Sequence, residues 1–221
     1  MVLVHGVVSS RYLLPTAHRL APAFRVLVPD LPGFGASPRP GRPLDVGGLA
    51  EALDGAMGAW GARCPTVVGH SIGAEVVVEL ARRRPGAVGR AVLVGPTGDP
   101  RVRRVLGLWW RWWANAPGEP LAFHRLALAE ARSVGPGRMW RTMQLALDDP
   151  TTPKLEGLGL PTLLVRGEHD RVAPQRWLEQ LADMVPKSEL AVIPGAAHTV
   201  VHHAPIQLAR LVSRFAGVDG R

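Results

Sequence analysis

A chain of 221 residues with 47% hydrophobic residues is long enough for one large core or a core with a small lid, and too apolar for a disordered chain. Its single cysteine excludes an internal disulfide, and no apolar run is long enough to span a bilayer. The net charge of +8 comes almost entirely from arginine, scattered through stretches such as Arg82-Arg83-Arg84 and residues 101–111 with no nucleic-acid motif beside it, so no nucleic-acid partner is expected.

Short apolar runs alternate with helical patterns, which predicts a doubly wound, mostly parallel sheet. The first run, residues 2–4, ends in His5-Gly6, and a helical pattern follows over 12–21. A second run over 25–28 enters the loop Pro29-Asp30-Leu31-Pro32-Gly33-Phe34-Gly35, where Asp30 is read as a brace and not as a catalyst. A helix is predicted over 46–60, and Cys64 beyond it is read as a packed thiol. Strand 65–68 then leads into Gly69-His70-Ser71-Ile72-Gly73 and a helix over 71–84. Strand, sharp turn and helix are the context in which Gly-x-Ser-x-Gly presents a serine above a helix N-terminus, whose free N–H groups favour developing negative charge. Ser71 is thereby the candidate nucleophile.

Strand 90–94 follows, and from residue 98 to about 156 the alternation gives way to helical sequence. Its most distinctive piece runs from Leu106 to Trp113, where helical spacing puts Leu106, Trp109, Trp110 and Trp113 on one face. That face reads as an aromatic wall over an apolar pocket, with Trp109, Trp110 and Trp113 as candidate substrate contacts. It reads equally as packing of the helices onto the core. Tryptophans beside arginines also suit a membrane surface, though no membrane partner is expected.

Strand 161–166 runs into Gly167-Glu168-His169-Asp170, a helix covers 174–185, and strand 189–193 runs into Gly195-Ala196-Ala197-His198 before a last helix over 202–216. A serine nucleophile needs a base, and the base needs an orienting carboxylate. Asp170 is the acid candidate, with Glu168 behind it, and His198 is the base candidate. Parallel strands end at one edge, so Ser71, Asp170 and His198 can converge there. His202 and His203 compete with His198, and the spacing of 198 and 202 could mimic a metal site. No carboxylate or cysteine sits beside them, so no metal is expected. His70 and His169 are read as loop-shaping residues.

Taken in order, Val-Leu-Val-His-Gly (2–6), the stretch 28–37, the elbow (69–73), Leu-Val-Gly-Pro (93–96), Arg-Gly-Glu-His-Asp (166–170) and Gly-Ala-Ala-His (195–198) resemble the α/β-hydrolase superfamily in its capped serine-hydrolase form. The resemblance implies the α/β-hydrolase fold, a mostly parallel sheet flanked by helices, with the core over 1–97 and 156–221 and a helical cap inserted over 98–155. It implies a triad of Ser71, Asp170 and His198, oxyanion donors at the Val7 and Ile72 backbone, and a loop shaped by His5 and Gly6, with no cofactor or metal. The expected reaction is two-step hydrolysis of a carboxylic ester of a hydrophobic small molecule through an acyl-enzyme. The same apparatus also serves carbon–carbon bond hydrolysis or acyl transfer, and some members of the fold only bind ligands. Relatives carry two more strands before the His-Gly strand, so an N-terminally truncated core with an exposed sheet edge and marginal stability is expected. Val7-Val8 stand where many relatives have a further glycine, which narrows the entrance. No basic leader precedes the first strand, and a cytoplasmic protein is expected.

Overall fold

The computed structural model describes residues 1–217; residues 218–221, inside the range assigned to the core, lie outside the described residues. The first half comprises β1 (Val2–Val4), α1 (Leu14–Leu20) after a 3-10 turn at Ser10–Leu13, α2 (Val46–Ala59), β2 (Thr66–His70), α3 (Ile72–Arg83) and β3 (Arg90–Val94). Four helices follow, α4 (Val105–Asn115), α5 (Leu121–Val134), α6 (Pro136–Leu147) and α7 (Thr152–Leu155). The chain then closes with β4 (Thr162–Gly167), α8 (Gln175–Met184), β5 (Ser188–Ile193), α9 (Val200–His203) and α10 (Pro205–Phe215). All strands are parallel, in the order β1-β2-β3-β4-β5.

Alternate residues of each strand feed two cores, as the two-residue period of a strand requires. Val2, Val4, Val67, Leu93 and Leu164 pack with α2, α3 and α8, whereas Leu3, Val68, Val92, Val94 and Leu163 pack with α1, α9 and α10. Burial on both faces is why these strands read as continuous apolar runs. Each fully buried Val or Leu contributes about 1.5–3 kcal/mol of transfer free energy. Asp45 caps α2 by accepting from the Gly48 N–H at 2.7 Å, and Trp177 of α8 donates its indole N–H to the Pro96 carbonyl at 3.0 Å. The second contact fixes α8 beneath the point where the chain leaves β3 for the four helices.

Residues 25–28 do not form a full strand. They bridge β1 at Val2–Leu27, with Leu3 N–H to Leu27 O at 2.9 Å and Leu27 N–H to Met1 O at 3.0 Å. The ladder is short because β1 has only three residues before the His5-Gly6 turn, and Pro29 has no N–H to continue it. This segment is the outer element beside β1, and Val26, Leu27 and Val28 are half-buried there. From β1 the chain moves outward to residues 25–28 and then returns to β2 on the other side. The crevice at which an open parallel sheet binds ligands therefore opens between β1 and β2.

Two local expectations are corrected. The last helical pattern, over 202–216, is divided into α9 and α10, because Pro205 cannot donate into α9 and instead opens α10 at its first turn. Cys64 is exposed, not packed: it sits in the turn before Pro65 with a positive φ of 47°.

Candidate active site

Ser71 stands between the last residue of β2 and the first of α3, with φ 57° and ψ −126°. Such a conformation costs a non-glycine residue about 1–3 kcal/mol and persists only where the surroundings hold it. A Cβ on Gly69 would lie 2.5 Å from the Gly73 carbonyl, and one on Gly73 would lie 2.5 Å from the Val4 carbonyl. Both flanking positions are therefore closed to any side chain, and the Ser71 N–H is tied to Val94 O at 2.9 Å. Ile72 opens α3, so its N–H has no acceptor within the helix and faces the same crevice end as Ser71.

Asp170 and His198, just beyond β4 and β5, are brought together. The His198 Nδ1–H donates to Asp170 Oδ2 at 2.9 Å, and both side chains are buried. Asp170 Oδ1 accepts from the N–H groups of Val172 and Ala173 at 2.8 and 2.9 Å, and Arg166 braces the loop by donating to the Asp170 carbonyl at 2.8 Å. Burial pushes the Asp170 carboxyl upward, but the His198 charge, its hydrogen bond and the two backbone donors hold it below the usual range. Burial pushes His198 down, yet the charge and hydrogen bond of Asp170, with the charge of Glu119 behind them, hold it above the usual imidazole range. The remaining ring nitrogen, Nε2, is buried and has no hydrogen-bond partner among the described residues.

The loop after β1 is held by neutral histidines. His5 Nε2 accepts from the Leu31 N–H at 2.9 Å, so its Nδ1–H donates to the Gly6 carbonyl at 2.8 Å. Asp30 accepts from the N–H groups of Ser10 and Ala36, both at 2.9 Å, which is the bracing role expected of it. His70 donates its Nε2–H to the His198 carbonyl at 3.1 Å, which leaves Nδ1 to accept from the Tyr12 hydroxyl at 2.8 Å; that hydroxyl accepts in turn from the Gly6 N–H at 2.8 Å. Burial, reinforced by the charge of His198, lowers His70 to about 3. One chain of hydrogen bonds thus joins the loop of Gly6 to the backbone of His198.

A cavity of about 300 Å³ opens beside Ser71 and Ile72, between Val7 and Val8 on one side and α4, α5 and α6 on the other. Trp109 and Trp113 line it, as does Trp112, whereas Trp110 does not line it and is 75% exposed. At about 100° per residue, the face of α4 turned to the cavity carries positions 108, 109, 112 and 113 and leaves Trp110 pointing away. His124, Met139, Met143 and Leu128 complete much of the wall, and among the described residues no lysine or arginine lines it. Glu168 lies outside this arrangement, exposed and accepting from the Gly195 N–H at 2.9 Å, with His169 exposed beside it. His202 and His203 are half-buried on α9, and no group of potential metal ligands occurs among the described residues.

Sequence reasoning missed the pair Asn115 and Glu119. Glu119 Oε1 accepts from the Thr199 N–H and from Asn115 Nδ2, both at 2.8 Å, its Oε2 accepts from the Thr199 hydroxyl, and Asn115 Oδ1 accepts from the Arg171 N–H at 3.2 Å. The end of α4 therefore grips the residues that follow Asp170 and His198. The available signal was that Glu119 is one of only two acids, with Glu130, between residues 100 and 147.

A model of the alpha/beta hydrolase family matches residues 1–211. The chain is 29% identical over 248 residues to a 2-hydroxymuconate semialdehyde hydrolase from Pseudomonas putida, covering 97% of this chain and 85% of that protein. It is 27% identical over 252 residues to a pimeloyl-[acyl-carrier protein] methyl ester esterase from Nitrosospira multiformis, covering 98% and 94% respectively. Among solved structures it is similar to a thermophilic esterase from Thermogutta terrifontis, with a TM-score of 0.79 at 22% identity, covering 98% of this chain and 88% of that one.

Proposed function

The chain belongs to the alpha/beta hydrolase family, and from that premise we propose that it is a serine hydrolase cleaving carboxylic esters of hydrophobic small molecules. The observation that carries this reading is the strained Ser71 elbow opening into an apolar cavity at the sheet edge where Asp170 holds His198. Ser71 Oγ attacks the ester carbonyl while its proton passes to His198 Nε2, the ring atom without a partner among the described residues. The oxyanion that forms is stabilised by the backbone N–H groups of Val7 and Ile72. The carbon–oxygen bond to the alcohol then breaks, and the alcohol leaves with the proton from His198. Water, deprotonated by His198, attacks the acyl-enzyme and releases the acid and Ser71. No step requires a cofactor.

The named relatives are hydrolases of two kinds, and the cavity favours one of them. The semialdehyde substrate named for the Pseudomonas putida relative is a muconate, which carries a carboxylate, and among the described residues no lysine or arginine lines the cavity of this chain to receive one. Ester cleavage in an apolar, tryptophan-walled site fits better. The test is a series of p-nitrophenyl esters of increasing acyl length beside a ring-fission dienoate. The reading predicts ester turnover that improves with chain length until the cavity is filled. Turnover of the dienoate with no ester cleaved would replace it with carbon–carbon bond hydrolysis.

A further inference from the structure

Among the described residues, seven of the ten exposed large hydrophobic side chains lie between positions 106 and 140, and four of the seven are tryptophan. Leu106, Trp109, Trp110 and Trp113 form the exposed face of α4, at 69%, 41%, 75% and 67% exposure, so this apolar face is largely turned to solvent, with Trp109 and Trp113 at its edge also reaching the cavity. Isolated exposed apolar residues need no explanation, whereas a contiguous apolar face marks an interaction surface. Tryptophan is the side chain best suited to a boundary between apolar and aqueous phases.

The charge around this face selects the partner. Residues 100–147 contain eight arginines and two acids, and the acids, Glu119 and Glu130, are both buried. Arg103 and Arg104 are exposed at the start of α4, directly beside Leu106. The exposed charge of the segment is thus of one sign. A second copy of the chain would bring the same positive surface to the contact, whereas an anionic lipid surface is complementary to it. No helix among the described residues is long and apolar enough to cross a membrane, so attachment would be peripheral. Trp109 and Trp113 are both exposed and part of the cavity wall, so the face and the cavity mouth are continuous.

From these observations we propose that the outer face of α4 docks on an anionic lipid surface, with Leu106 and Trp110 inserted at the headgroup level and the cavity mouth turned to the lipid. Substrate then enters from the lipid phase, where hydrophobic esters concentrate. Docking requires no chemistry at Ser71, so it stands or falls independently of the hydrolase reading.

The test is flotation of the full chain with vesicles of phosphatidylcholine, with and without phosphatidylglycerol, at low and high salt. The wild type is expected to float with the anionic vesicles, to be released by salt, and to show a blue shift of tryptophan emission on binding. In the double variant Leu106→Ser/Trp110→Ser the partition coefficient should fall by about tenfold or more. Neither residue lines the cavity, so turnover of a water-soluble ester without vesicles should be unchanged. A second variant, Arg103→Glu/Arg104→Glu, reads the charge contribution and should weaken binding to anionic vesicles alone. The proposal is overturned if the wild type stays with the aqueous fraction at low salt, or if the double variant floats as well as the wild type. Light scattering that shows a dimer abolished by the double variant would also overturn it, because a second copy would then occupy the face.

Discussion

Replacing Asp170 by asparagine tests the orientation of His198 with almost no change of shape. The Val172 and Ala173 N–H groups both point at Oδ1, so the carboxamide oxygen is drawn to that position and the NH2 is left facing His198 Nδ1. His198 must then accept at Nδ1 and carry its proton on Nε2, which is the wrong tautomer for a base. Reversing the amide would aim its NH2 at two backbone donors, leaving two buried N–H groups unpaired at about 1–3 kcal/mol each. The productive tautomer is therefore disfavoured by roughly 2–6 kcal/mol, or about 30-fold to 10⁴-fold in rate, a range that includes the drop of about 10⁴ for the same change in a serine protease. The assay is kcat for a p-nitrophenyl ester in the wild type and Asp170→Asn, with circular dichroism to confirm equal folding. A folded Asp170→Asn protein that keeps kcat within about threefold would refute the reasoning, since the loop would not be dictating the tautomer.

Two further predictions use buried carboxylates near the site. Glu75 of α3 is buried, accepts from the Thr97 hydroxyl through Oε1 and has no partner on Oε2 among the described residues; burial raises its pKa to about 8. Its folded value lies above the unfolded one, so the folded state holds the extra proton and stability is lost as pH rises from about 4.5 toward 8, at up to about 1.4 kcal/mol per pH unit. Melting curves of the wild type between pH 5 and 8 should fall relative to those of Glu75→Gln, and parallel curves would contradict the neutral assignment. Glu119→Gln removes a negative charge that raises His198 while keeping an acceptor for the Thr199 N–H. The acid limb of the kcat/KM profile should move to lower pH with a modest loss of stability, whereas an unmoved limb would mean that Glu119 only packs.

The parallel sheet was legible because strands buried on both faces leave unbroken apolar runs, and β3 lies over the residues read as a strand from the sequence, whereas the order of the strands came from the structure. The positions of Ser71, Asp170 and His198 after three strand ends were legible for the same reason, since turn glycines punctuate each strand. What escaped notice was contact between distant segments. Tyr12 meets His70 across 58 residues and Glu119 meets Thr199 across 80, and no local pattern encodes either. The orientation of α4 escaped for a different reason. A stripe that is apolar over more than half of the helix circumference does not say which part faces inward, so Trp110 was grouped with Trp109 and Trp113 as a substrate contact although it points to solvent, and Trp112, which lines the cavity, was not singled out. Pro205 was visible, but its effect on the last helix follows from the missing N–H and not from hydrophobic periodicity.

The most direct measurement is intact-mass labelling with a fluorophosphonate, run on the wild type and on Ser71→Ala with circular dichroism of both. A serine activated by His198 takes up one phosphonyl group per chain, and the adduct should be absent from the folded Ser71→Ala protein. A folded wild type that remains unlabelled, or a Ser71→Ala protein labelled as fully as the wild type, would contradict the assignment of Ser71 as the nucleophile.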